Sequence, residues 1–142
     1  MANSTQIQIL DQAGILSRLK RMAFEIYEAN YQEKQLFIIG IDERGGFLAK
    51  ELQSLLEEIS PLETHFVQAR LDRSGASHEM GITLDLENLE VLRNNPVLVV
   101  DDVLYTGTTL LNVVAILLQA GPSTLRNAVL IDRGHRNMPV SA

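Results

Sequence analysis

A chain of 142 residues that is 46% hydrophobic is long enough to bury about two thirds of the surface its unfolded form exposes, as one domain. No apolar run reaches membrane-spanning length, and MANSTQIQIL at the N-terminus lacks a basic region followed by an apolar core, so neither a spanning helix nor a secretory signal is expected. The lack of cysteine excludes disulfides and thiolate chemistry and favours a cytoplasmic location, while a formal net charge of −6 argues against a surface that attracts nucleic acid everywhere.

Asp11 suits the N-cap of a first helix, along which Ile15, Leu19, Met22 and Ile26 recur as one apolar stripe. LFIIG at 36–40 is a short continuous apolar run, the pattern of a strand buried on both faces. GGFLAKELQSLLEEIS then returns to helical spacing through Leu48, Leu52, Leu55 and Ile59, and Pro61 stops it. Residues 62–69 alternate as a second strand. LDRSGASHEMG at 71–81, with two glycines, two serines and no periodicity, reads as a loop. ITLDL and PVLVV are further strands. A helix over 109–120 would bury Leu110, Val113, Val114 and Leu117, with Gly121-Pro122 closing it and NAVLI as the last strand. Strands alternating with helices predict an α/β fold whose central, mostly parallel sheet carries helices on both faces.

In open parallel sheets, ligands bind beyond the carboxyl ends of the strands. VLVVDDVLYTGTT at 97–109 delivers Asp101 and Asp102 to that position. Carboxylates there can accept hydrogen bonds from sugar hydroxyls or hold a hydrated Mg2+. Residues 104–109 lead into a helix whose N-terminus presents unpaired N–H groups and a positive dipole end. Gly107 lets the backbone approach an anion, and Thr106, Thr108 and Thr109 add hydroxyl donors. A diol reader beside a monophosphate cradle describes a ribose 5-phosphate site. The plainer alternative is an acidic strand end whose threonines cap the helix. Strand followed by paired aspartates also occurs in response-regulator-like and Walker-B-like sequences, but no GxxxxGK[ST] or GxGxxG accompanies it here. His65, His78 and His135 have no metal-ligand spacing, so no tightly held transition metal is expected. Beyond Gly121 the ionisable residues are Arg126, Asp132, Arg133, His135 and Arg136, a locally basic end.

The whole thirteen-residue string at 97–109 resembles the phosphoribosyl pyrophosphate (PRPP) motif of type I phosphoribosyltransferases, paired acids followed by TGxT. Within that superfamily, VLVVDDVLYTG, VLIDRGHRNMPVSA, IIGIDERGGFLAKEL and the ILD before the first helix resemble signature segments of the pyrimidine-operon regulator/uracil phosphoribosyltransferase group, in order over most of residues 9–142. The resemblance implies a Rossmann-like type I phosphoribosyltransferase domain over 1–142 with a small hood. It implies transfer of ribose 5-phosphate from PRPP to a nucleobase, uracil by the subgroup, with Mg2+ accompanying PRPP. Asp101, Asp102 and Arg44 would be the catalytic residues. Asp101 and Asp102 would hold the ribose hydroxyls, with Asp102 near the water shell of the metal. Leu104, Tyr105, Thr106, Gly107, Thr108 and Thr109 would line the 5-phosphate site. Ile41, Asp42, Glu43, Arg44 and Gly45 would form the pyrophosphate loop, with Arg44 on the leaving group. Arg70 or Arg73 would clamp pyrophosphate from a flexible loop at 71–81, and Ile131, Asp132 and Arg133 would meet the base. A homodimer or larger homo-oligomer is implied, and no membrane.

Three departures stand out. Asp42 and Glu43 replace the lysine or arginine and the threonine of the subgroup, placing two carboxylates near a polyanion unless they turn outward or recruit Mg2+. Thr108 stands where the subgroup has arginine. Relatives continue past the PVSA of this sequence into a strand like ADFVG, which leaves open whether the hood is complete. Two other readings remain: a nucleotide-sensing, RNA-binding regulator using Arg126, Arg133, His135 and Arg136 with Arg18 and Arg21, or a PRPP-binding domain with a different acceptor.

Overall fold

The computed structural model describes residues 12–72, 81–104 and 108–132. Helix α1 (Gln12–Asn30) leads into strand β1 (Gln35–Ile41), helix α2 (Asp42–Ile59) and strand β2 (Glu63–Asp72). Strand β3 (Gly81–Leu84), a 3-10 turn (Leu89–Leu92), strand β4 (Pro96–Leu104), helix α3 (Thr108–Leu118) and strand β5 (Thr124–Asp132) complete the order.

The sheet runs β3-β2-β1-β4-β5. β1 lies at its centre, parallel to β2 and to β4, and β4 is parallel to β5. That position explains the unbroken apolar run: six of the seven residues of β1 are buried. Alternate side chains serve opposite layers. Phe37, Ile39 and Ile41 pack with Leu110, Val113 and Leu117 of α3. Leu36 and Ile38 pack with the α1 stripe of Leu19, Ala23 and Ile26 and with Leu48, Leu52 and Leu56 of α2. Helices therefore cover both faces, as the alternation of elements requires. Among the described residues no helix is long and apolar enough to cross a membrane.

The structure differs from the sequence expectations mainly at element ends. β3 is antiparallel to β2, and their pairing extends to Asp72↔Gly81, so both ends of the expected loop at 71–81 are strand. Residues 73–80 lie outside the described residues. β4 continues to Leu104 instead of stopping at Val100, because β5 runs beside it and supplies partners through Leu104↔Asp132. By the same pairing β5 opens at Thr124, level with Pro96. The 3-10 turn has no periodic signature. It is built by a local cap, in which the Asn88 side chain accepts from the Glu90 N–H, and by the burial of Leu92.

Candidate active site

Parallel pairing brings the carboxyl ends of β1, β2, β4 and β5 to one edge of the sheet. β1 ends at Ile41, and α2 opens on the next residue, Asp42, three residues before the expected start. Asp42 has φ 55°, in the left-handed region where aspartate and asparagine are the most tolerated side chains after glycine. Ile41 offers the helix no side-chain cap, while Asp42 and Glu43 stand in its first turn. Carboxylates at that end complement the helix dipole. This gives the two acidic residues a local structural reason. Glu43 and Arg44 are exposed, and Gly45 and Gly46 are buried.

Gly45 is the hinge pin of the arrangement. A Cβ built on it would stand 2.6 Å from the Val100 carbonyl oxygen and 3.4 Å from the Asp101 Cα. Only a residue without a side chain lets the 41–45 turn lie against β4 at Asp101. Two segments 56 residues apart in the sequence, the predicted pyrophosphate loop and the predicted ribose reader, thus meet backbone to backbone. Asp101 itself is half-buried and paired with Val129 of β5.

Asp102 follows in β4, which closes at Leu104, and Thr108 and Thr109 open α3. Tyr105, Thr106 and Gly107 of the predicted phosphate cradle lie outside the described residues. Ile131 and Asp132, predicted to meet the base, end β5 opposite Val103 and Leu104. Arg133 lies outside the described residues. Arg70 is exposed on β2 opposite Thr83, beyond the last β1–β2 pair, Ile41↔Ala69; Arg73 is not among the described residues.

Sequence reasoning missed Gln68. Its Nε2 donates to the carbonyls of Asp42 at 2.7 Å, Ala69 at 3.1 Å and Gly40 at 3.2 Å, tying β2 to the turn. The one available signal was an amide between the apolar residues Val67 and Ala69. The Leu71 N–H donates to Asp42 Oδ1 at 3.0 Å.

Among the described residues no group of three or more His, Asp or Glu side chains converges on a point that could hold a metal. Mg2+ fits the donor set differently: it keeps most of its waters and is held by one or two carboxylates together with substrate phosphates, which Asp101, in β4 just past the last β1 pair at Gly40↔Val100, suits. His65 is remote from this edge, stacked on Phe37 with ring centroids 4.7 Å apart and with Nε2 3.1 Å from Gln35 Oε1.

A second, basic feature lies between α1 and β5. Arg18, Arg21 and Arg126 line a cavity of about 460 Å3 together with Glu25 and Asn127. Arg18 Nη1 donates to the Leu130 carbonyl at 3.0 Å, and Arg126 Nη1 to Thr124 Oγ1 at 3.2 Å. Asn127 Nδ2 is buried without a hydrogen-bond partner among the described residues. Arg133, His135 and Arg136, the rest of the predicted basic end, lie outside the described residues.

Residues 5–142 match the phosphoribosyl transferase domain family. The bifunctional protein PyrR of Staphylococcus carnosus is 37% identical over 143 residues, covering 94% of this chain and 79% of that protein. The pyrimidine operon regulatory protein of Lactococcus lactis is 34% identical over 141 residues, covering 95% of this chain and 78% of that one. Among solved structures, the hypoxanthine phosphoribosyl transferase of Trypanosoma cruzi shares the fold, with a TM-score of 0.74 at 23% identity over 90% of this chain and 70% of that one. The chain belongs to the phosphoribosyl transferase domain family, beside the relatives that carry pyrimidine-operon regulator names.

Proposed function

We propose that this chain, as a single domain, transfers the ribose 5-phosphate of PRPP to uracil, giving UMP and pyrophosphate. The observation that carries the reading is the contact of the 41–45 turn with β4 at Asp101, a leaving-group site next to a ribose site. The uracil assignment is supported by the name of the Lactococcus lactis relative, a pyrimidine operon regulatory protein.

In the reaction a base nitrogen forms a bond to ribose C1, the C1–O bond to pyrophosphate breaks, and its electron pair leaves with pyrophosphate. The base nitrogen gives up its proton to solvent. Positive charge develops on the ribose and negative charge on the leaving group, so the protein supplies position and electrostatics more than covalent chemistry. Asp101 and Asp102 hold the ribose hydroxyls from the part of β4 beyond its last pair with β1. The N-terminus of α3, with Thr108 and Thr109, receives the 5-phosphate after residues 105–107. Arg44, exposed in the first turn of α2, meets the pyrophosphate. Arg70, exposed beyond the end of β1, or Arg73 clamps the same group. Ile131, Asp132 and Arg133 present backbone groups to the base. Mg2+ bound with PRPP neutralises part of the pyrophosphate charge. The reading assigns the segment at 71–81 to excluding water during transfer, which protects PRPP from hydrolysis. The reading carries with it a cytoplasmic location and a homodimer or larger homo-oligomer.

The test is pyrophosphate release from PRPP and Mg2+, with uracil, with hypoxanthine or guanine, and with no base. Release that depends on uracil is the expected result. Release that prefers a purine would reassign the acceptor, and no release with any base sinks the enzyme reading.

A second reading, RNA binding, is favoured by one observation: three arginines from α1 and β5 line a single cavity. Phosphate contacts of this kind make affinity strongly salt-dependent. A pyrimidine-leader RNA should be retained on a filter at low salt, and the double substitution Arg18→Ala with Arg126→Ala should lower that retention about tenfold. No retention by the unsubstituted chain removes the reading.

A further inference from the structure

Two carboxylates in a turn that receives pyrophosphate oppose its charge. The geometry points to another role for one of them: we infer that Asp42 is a positioning residue, whose side chain pins the pyrophosphate turn to the root of the β2–β3 hairpin and faces protein instead of ligand. The inference rests on the proposed PRPP reading and goes beyond it.

The register shows why such a pin is needed. β1 stops at Ile41, paired with Ala69, whereas β2 runs on to Asp72. Past Ala69, β2 keeps β3 on one side, through Arg70↔Thr83 and Leu71↔Ile82, and has no paired strand on the other among the described residues. The Leu71 N–H on that open side needs an acceptor. Asp42 Oδ1 supplies it at 3.0 Å, so the side chain does what one more residue pair of β1 would have done. A hydrogen bond to a carboxylate is among the stronger kinds.

Two further contacts make the pin rigid. The Asp42 carbonyl accepts Gln68 Nε2 at 2.7 Å. The Gln68 amide also fills the space that a side chain on Gly46 would need. Asp42 is thus held from its carboxylate and its carbonyl by two residues of β2, in the left-handed conformation at φ 55°. The lysine or arginine that the resemblance would lead one to expect at this position has no acceptor and could not make the carboxylate bond. The departure from the subgroup pattern is therefore accounted for by a bond within the protein, and the turn is coupled to the two strands that residues 73–80 connect.

The experiment compares Asp42→Ala and Asp42→Asn with the unsubstituted chain, reading PRPP affinity by calorimetry with Mg2+ and the exchange rate of the Leu71 amide. Asparagine keeps an acceptor without the charge; alanine removes both. Asp42→Ala is expected to weaken PRPP binding about tenfold and to speed Leu71 exchange by at least about the same factor, the size of a lost charge-assisted bond. Asp42→Asn is expected to recover most of both losses. Tighter PRPP binding in Asp42→Asn by about tenfold or more would overturn the inference, because it would set the carboxylate against the ligand. Equal loss in both variants would also overturn it, since charge and not the bond would then be what matters. If Asp42→Ala does not fold, Asp42→Asn decides alone: Leu71 protection retained together with PRPP binding supports the pin, and either one lost overturns it. An unsubstituted chain that takes up no PRPP sinks the functional reading and the positioning role with it. PRPP uptake that is the same in all three proteins sinks the positioning role alone.

Discussion

Replacing Asp101 by alanine is expected to lower kcat/KM for PRPP turnover by about a thousandfold while moving Tm by only a few degrees. The magnitude follows from what a carboxylate of β4 beyond the end of β1 does. A charge-assisted hydrogen bond to a ribose hydroxyl is worth about 1.5–3 kcal/mol, and each 1.36 kcal/mol is a factor of ten in rate. Loss of ribose alignment adds to that, because the reacting carbon is held by its own hydroxyls. Stability is spared because Asp101 is half-buried rather than core, and its strand pairing with Val129 is made by the backbone. Asp101→Asn, which retains an acceptor without the charge, should fall between the two. Steady-state pyrophosphate release alongside a thermal melt checks this. Turnover within about threefold of the unsubstituted chain would remove Asp101 from the site, and a collapse of Tm in step with activity would make its role structural.

The strand that carries Asp101 was legible from local pattern. Four aliphatic residues running into acids mark a strand whose carboxyl side carries the acids, and LFIIG at the sheet centre likewise announced its burial on both faces. Both signals are carried by residues adjacent in the sequence. What stayed hidden depends on partners far away. The continuation of β4 through Asp102 to Leu104, interrupted in its apolar run by the paired acids, exists because β5 lies beside it. The start of α2 at Asp42 was read as loop because DERGG holds no periodicity. The residue is fixed there by Gln68, 26 positions distant, and by Leu71, 29 positions distant.

The basic end shows the same division. Composition marked Arg126 as part of a locally basic segment and Arg18 and Arg21 as basic residues of the first helix. That the three line one cavity follows from α1 lying against β5, with Arg18 anchored on the Leu130 carbonyl. The concern over Asp42 shows the limit from the other side. Charge counting alone sets a carboxylate against pyrophosphate. The backbone geometry gives it the Leu71 N–H as a partner.

Gly45→Ala is expected to abolish PRPP binding and to lower Tm by about 3–10 °C, from an overpacking cost of about 1–3 kcal/mol. The added Cβ would lie 2.6 Å from the Val100 carbonyl oxygen, and that neighbour is the backbone of a buried strand, which has no rotamer to yield. The turn must therefore lift away from β4, and lifting it separates the pyrophosphate site from Asp101. Gly121→Ala provides the contrast. Gly121 has φ 72° but open space, its Cβ meeting nothing nearer than the Arg93 side chain at 3.9 Å, and it lies in the turn between α3 and β5, far from the carboxyl ends of the strands. Its cost is backbone strain of about 1–2 kcal/mol, comparable in stability and without effect on PRPP. Calorimetric titration with PRPP and Mg2+, paired with melts of both variants, separates the cases. If Gly45→Ala and Gly121→Ala lose similar stability and only the first loses PRPP, the close approach of turn and strand is what builds the site. If both bind PRPP as well as the unsubstituted chain, the contact at Gly45 is packing alone, and the pyrophosphate site must be sought elsewhere on this edge of the sheet.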